Sequence, residues 1–362
     1  MRGIGLAPDG TAPRGCYAPA MLREPANARN RASETALSGG YRLAGEALAL
    51  VYIGLIAAIA STTGAFYVLF PELGALAHDV FTRPRGTWAK APLMLAITPP
   101  LTGALGICIT RELPYGFVSV FAVVCGSMGL VLMLRSPIAP AISAGLLPLV
   151  LGVRSWWYPP GILLGTALLA ILSIGWTRWL DDRAVAQSPR QAPDEIDDTI
   201  ERSPADYRWL VPLLAFVMIA TAMVQATGLR FILFPPLVVI GFEMFGHTEI
   251  CPWAARPLSL PMACFLTASG GLILLRILGV NPATAALSMA WGVVVLRVFD
   301  LHVPPALAVA LLPMVMDHPA NIYPFSVGIG TLILTLWFLA WKVLLRQERR
   351  RKMTGGAAAS AP

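Results

Sequence analysis

The chain repeats itself, and the repeat limits what it can fold into. Setting Ser136–Leu180 against Leu301–Leu345 without a gap matches Pro140 with Pro305, Pro148 with Pro313, Tyr158 with Tyr323, Gly165 with Gly330, Thr166 with Thr331 and Trp176 with Trp341. The same offset pairs Trp88 with Trp253, Pro92 with Pro257, Gly106 with Gly271 and Arg111 with Arg276. A slip of one residue then aligns Phe70-Pro71 with Phe234-Pro235, and Asp79 with Glu243. Biased composition can match leucine with leucine, but it does not keep Trp, Tyr, Pro and Gly in register. The pattern marks a duplicated unit.

That unit belongs in lipid. Apolar residues make up 56% of the chain and charged residues 13%, and the mean hydropathy is +0.68. Soluble domains carry roughly 25% charged residues, so most of this surface must face hydrocarbon. The formal charge of +7 sits in tails and loops between apolar runs. Loop charge of that kind is expected beside membrane spans and is not a nucleic-acid footprint. Paired halves meeting in a bilayer are how many secondary transporters are built. The five cysteines (Cys16, Cys108, Cys125, Cys251, Cys264) have no C-x-x-C spacing and read as small packing residues rather than a metal or redox site.

The expected fold is all-α: a polytopic helical membrane protein of two tandem repeats, each with four spans and one short proline-broken, re-entrant segment. Residues 1–44 read as a disordered cytoplasmic tail, 45–180 as the first repeat and 181–208 as a charged linker with no apolar face. Residues 209–345 form the second repeat and 346–362 a basic tail. The first repeat places spans at 48–69, 91–110 (broken by Pro99-Pro100), 115–134 and 160–176, with the short piece at 138–153. A polar, tight loop with Pro71, His78, Asp79, Arg83 and Arg85 follows the first span. The second repeat places spans at 209–234, 258–278, 282–299 and 325–345, with the short piece at 304–316. Each short piece falls below the roughly 17–25 residues of a spanning helix. A re-entrant piece puts both tails and the linker on one face, cytoplasmic by its Lys and Arg, and leaves Arg83, Arg85 and Lys90 outside. If the short pieces span, each half has five crossings and the halves are inverted.

Candidate site residues follow from irregular backbone and from charge. Pro140, Pro148, Pro304, Pro305 and Pro313 interrupt the short segments. Each proline removes an amide and frees a carbonyl, which is raw material for a substrate pathway. The bland alternative is a kinked packing helix satisfied by its neighbours. Arg111 and Arg276 match at the end of the second span of each half and suit interfacial anchoring. Arg297, Asp300 and His302 form a cluster that could attract anions, handle protons or simply pair locally. Asn281-Pro282-Ala283 has no paired copy in the first half, so it does not argue for a water channel. Asp194-Glu195-Ile196-Asp197-Asp198 reads as a solvated charge run. His78, His247 and His318 lack metal-binding spacing. With no phosphate loop and no nucleophile elbow, neither an enzyme nor a cofactor is expected.

Leu301-His302-Val303-Pro304-Pro305-Ala306, followed by a short apolar run, resembles the signature of the HPP family of integral membrane proteins. In that family a His-Pro-Pro motif closes the third of four spans. The Phe-Pro pairs near the ends of the first spans are also similar. Val303 interrupts the motif, and the first half reads Ser136-Pro137-Ile138-Ala139-Pro140 without a histidine, so the resemblance assigns the family's histidine to His302 alone. It implies two fused modules in a plasma (inner) membrane, moving a small inorganic anion such as nitrite. The rival expectation is a non-transporting scaffold or accessory subunit that acts through its linker and tails. Besides lipid and an anion, no partner is expected, and the oligomeric state stays open.

Overall fold

Every apolar run becomes helix, but two helices per half are too short to be ordinary spans. The computed structural model describes residues 24–182, 192–201, 204, 206–248, 250, 251, 253 and 258–359. The first half contains α1 (Glu24–Thr63), α2 (Leu73–Thr82), α3 (Pro92–Glu112), α4 (Phe117–Met133), α5 (Ala141–Leu151) and α6 (Tyr158–Asp182). The linker holds α7 (Ala192–Ile200). The second half contains α8 (Leu210–Thr227), α9 (Pro235–Gly246), α10 (Ser259–Leu278), α11 (Pro282–Val298), α12 (Pro305–Leu311) and α13 (Tyr323–Ala359).

Six helices are long and apolar enough to cross a membrane: Gly40–Thr63 of α1, α3, α6, α8, α10 and Tyr323–Leu345 of α13. Their outward side chains, among them Val51, Leu93, Ile171, Val211 and Ile277, are exposed large hydrophobics. An apolar surface that continues around a bundle is explained by lipid. Trp157 and Trp179, both exposed, bracket α6 about 33 Å apart at 1.5 Å per residue. That spacing suits aromatic anchors at the two faces of a ~30 Å hydrocarbon layer. The chain is a helical membrane protein.

The short helices form the interior. Every residue of α12 and of Pro235–Phe245 in α9 is buried, as are Ala141–Val150 of α5. A helix that is apolar all round belongs inside a bundle. Across the two halves α5 packs on α9 and α12 on α2, flanked by α1 on α11 and α4 on α8. Within each half, one crossing is too close for a side chain. A Cβ on Gly106 of α3 would lie 2.1 Å from the Gly145 carbonyl oxygen of α5, and one on Gly271 of α10 would lie 2.1 Å from that of Ala310 in α12. Other details recur at the same offset. Arg135 and Asp300 both adopt positive φ, 49° and 51°, and the amides just after them bond back to Val131 and Leu296 at 2.9 Å.

Several expectations change here. The polar loop after the first span is instead α2, buried except at His78 and Thr82, and its counterpart α9 occupies the stretch between the expected spans 209–234 and 258–278. The short segments are helices buried inside the bundle. Val303 and Pro304 line a cavity at one end of the bundle, while Met314, Val315 and Met316 line a cavity at the other. Phe70 and Thr82 likewise bracket α2 from cavity to cavity. Short helices of both halves therefore run between the two cavities inside the bundle. Arg83 and Arg85 lie at the linker end, where Arg83 pairs with Asp198 and Glu201 and Arg85 with Asp181.

The expected tail is helical from Glu24 onward and the basic C-terminal segment continues α13 to Ala359; residues 1–23 lie outside the described residues, as do the side chains of Arg346 and Arg349–Arg351. Pro99-Pro100 does not break α3. Pro100 leaves the Ala96 carbonyl without its amide partner, and Thr166 Oγ1 of α6 donates to that carbonyl at 2.8 Å. Where the second half has Phe265 instead, Thr331 bonds only to its own helix, at Val327 and Gly328. Asn281-Pro282 is a helix start: the Asn281 side chain accepts from Thr284 N at 2.9 Å and Pro282 takes the first helical position. Cys251 and Cys264 are buried and Cys125 half-buried, but Cys108 is exposed on a span rather than packed in the core.

Candidate functional site: two cavities and the layer between them

Two cavities indent opposite ends of the bundle. The linker-end cavity, about 580 Å³, is lined by Arg42, Glu46, His78, Arg297, Asp300 and His302 among others. The far-end cavity, about 890 Å³, is lined by Ser61, Phe70, Tyr67, Tyr158, Arg154 and Asp317 among others. Helix α1 spans the distance, with Arg42 and Glu46 in one cavity and Ser61 in the other.

Between the cavities lies a dry layer built from α2, α5, α9 and α12. Pro140, Pro148, Pro305 and Pro313 are buried inside it. The carbonyls they free are already occupied. Pro148 deprives the Ala144 carbonyl of an amide, and Tyr158 Oη donates to that oxygen at 2.8 Å. Pro313 does the same to Val309, and Tyr323 Oη donates to it at 2.7 Å. Each tyrosine ring is held edge-on by an aromatic neighbour: Tyr67 against Tyr158 with centroids 5.8 Å apart, and Phe231 against Tyr323 at 5.3 Å. Pro148 and Pro313 are thus packing features whose freed carbonyls are satisfied by neighbouring helices, while Pro140 and Pro305 start their helices, where no helix carbonyl is freed. Pro304 alone reaches a cavity wall.

The Arg297, Asp300 and His302 cluster does meet, in the linker-end cavity. Arg297 of α11 pairs with Glu46 of α1, so it bridges the two halves rather than presenting a bare cation. His302 faces His78 with ring centroids 6.3 Å apart, and the Arg42, Arg83 and Arg297 guanidiniums act on His78. Arg111 and Arg276 stay apart from all of this. At the far end Arg111 donates to the Arg154 carbonyl at 3.0 Å and Arg276 to that of Pro319. Both are exposed, which fits anchoring.

Two features escape sequence reasoning. One is the linker latch. Asp198 and Glu201, both about 5% exposed, join Asp79 around the buried Arg83 side chain, and Asp198 also accepts from Thr87 N at 3.0 Å. Ile200 is buried beside them. Within the expected solvated charge run Glu195 is exposed but Asp198 is docked; the Asp194 and Asp197 side chains lie outside the described residues. The other feature is Glu72, just before α2, which is fully buried. The Ser143 hydroxyl and the Glu72 amide approach its carboxyl, but neither oxygen completes a hydrogen bond. A lone carboxylate in an apolar run is a membrane-site signal, and the repeat sharpens it, because the matching residue is Pro236.

Among the described residues no group of His, Cys, Asp and Glu is arranged to hold a metal ion. No family model matches the chain, and no curated protein or solved structure is similar to it.

Proposed function

We propose that the chain is a membrane permease made of two related halves in parallel orientation, moving a small polar solute between the two cavities. The observation that carries this reading is the pair of opposed cavities separated by a thin, dry layer of short helices. A lipid-embedded protein gains nothing structurally by hollowing itself from both ends, and irregular backbone at membrane depth is tolerated only beneath a protein cover or around water. Alternating access would proceed by movement of one half against the other across the α2–α12 and α5–α9 contacts.

The solute class we propose is a small inorganic anion, with nitrite as the family-guided example. Arginines Arg111, Arg154, Arg230 and Arg276 outnumber the acids Glu112 and Asp317 at the far end, which favours anion arrival there. The denser basic charge of the linker end, with Arg42, Arg83, Arg85, Lys90, Arg135 and Arg178 in the first half alone, favours a cytoplasmic linker face. The HPP resemblance around His302 agrees with both.

The test is uptake by proteoliposomes across nitrite, nitrate, chloride and formate, comparing the native chain with Arg297→Ala, which unties α1 from α11. Native uptake of at least one anion, altered by Arg297→Ala, supports the reading. Uptake of none, at a density where a control carrier works, sinks it. The scaffold reading draws on the docked linker helix: deletion of Asp181–Arg208 should then abolish function in a chain that moves no anion.

A further inference from the structure

Resting on the permease reading, we propose that Glu72 is a proton-exchange site, whose carboxyl takes up and releases a proton as the solute moves.

The position is specific. Glu72 precedes the first turn of α2, two residues beyond Phe70 in the wall of the far-end cavity. His78, on the same helix, lines the linker-end cavity, about 9 Å further along at 1.5 Å per residue. Helix α2 therefore carries one ionisable group near each cavity. Glu72 is within electrostatic reach of both Tyr158 and Tyr323, the matched tyrosines of the two halves. A single carboxyl thus lies between equivalent elements, close to where the halves would move against each other.

The surroundings select a proton over other cargo. Among the described residues, the groups that face Glu72 are Ser143 from α5, Tyr158 from α6 and Tyr323 from α13. Tyr52 of α1 is committed to the Gly165 carbonyl at 2.8 Å, and α12 brings no titratable side chain. His78, Asp79 and Arg83 stand at the other end of α2. Among the described residues no positive group acts on the Glu72 carboxyl. A bare carboxylate there would lack a counter-charge, at a cost of several kcal/mol. A desolvated metal cation needs several oxygens to replace its water shell, and both tyrosine hydroxyls are already donated to backbone carbonyls. A proton needs only the carboxylate oxygen. In uptake, a hydronium ion in the far cavity gives its proton to Glu72 as water is left behind. In release, the O–H bond breaks and the proton passes to water at the linker end. The proton also cancels the charge of an anion that would otherwise enter against a potential costing ~2.3 kcal/mol per 100 mV.

The test uses purified full-length protein in proteoliposomes containing a pH-reporting dye, with nitrite as probe and an imposed inward proton gradient. The native chain should acidify the lumen with uptake, and the gradient should accelerate uptake several-fold. Glu72→Gln should keep nitrite counterflow at symmetric pH yet lose both the gradient response and the acidification, and Glu72→Asp should recover part of them. A gradient response in Glu72→Gln equal to the native one overturns the proposal. An infrared titration provides a second readout without transport: a protonated-carboxyl C=O band that changes with pH should vanish in monodisperse Glu72→Gln. If the native chain moves no anion, the permease reading falls while the infrared band still decides Glu72. Absence of any such band change overturns the proton site.

Discussion

Tyr158 donates its hydroxyl to the Ala144 carbonyl, the one group that Pro148 leaves without an amide partner. The pair connects α6 to α5 across the middle of the first half, and Tyr323 repeats it on Val309 in the second. A proline inside a membrane helix opens the hydrogen-bond ladder, and here a tyrosine from the next span closes it. Tyr158→Phe should destabilise the protein by about 1–3 kcal/mol, the cost of a buried unsatisfied carbonyl. Pro148→Ala in the same chain should recover most of that loss, because an alanine at this position restores the missing amide. Thermal unfolding in detergent of the two single variants and the double variant checks it; a double variant less stable than Tyr158→Phe alone would count against the cap.

Close backbone crossings give the second prediction. Gly106→Ala and Gly271→Ala each push a methyl into the carbonyl of the facing short helix, and overpacking of that kind costs about 1–3 kcal/mol or more where backbone must shift. A Cβ on Gly129 in α4 would meet nothing within 4 Å, so Gly129→Ala should be neutral or stabilising by up to ~1 kcal/mol. Size-exclusion profiles and melting midpoints of the three variants separate these outcomes.

Arg83 is the shared ion-pair partner of Asp79, Asp198 and Glu201, all buried. Arg83→Met should cost about 3–5 kcal/mol, since three acids lose their buried counter-charge, and should release α7. Limited proteolysis is the readout: cleavage within 183–201 should quicken sharply. Arg85→Met should leave the rate nearly native, because its pair with Asp181 is solvent-exposed and worth little.

Access to the two cavities should be sided. In a chain whose native cysteines are replaced, Asp317→Cys should react with a membrane-impermeant thiol reagent from one face and Asp300→Cys only from the other. Ile142→Cys and Val309→Cys, in the dry layer, should resist both. Labelling of Ile142→Cys at the rate of Asp317→Cys would mean that the layer is hydrated.

The positions of the long spans are legible because apolar length and composition alone specify a membrane helix. The anchoring of Arg111 and Arg276 is legible for the same kind of reason, since both fall at helix ends. His302 and Asp300 stand out through local charge in an apolar setting. Helix α2 escapes because His78, Asp79 and Arg83 give it a loop's polarity, and the partners of those groups, Asp198, Glu201 and His302, come well over a hundred residues later.

The amino-acid sequence determined that this is a helical membrane protein with proline-broken short elements, because hydrophobic length and proline chemistry act locally. Tertiary structure decided what those breaks mean. A freed carbonyl is a binding group or a packing detail according to whether another helix brings a donor to it, and Tyr158 and Tyr323 bring one. It also decided that Glu72, ordinary as a residue type, is a buried carboxyl with no counter-charge among the described residues, since burial depends on which helices close around it.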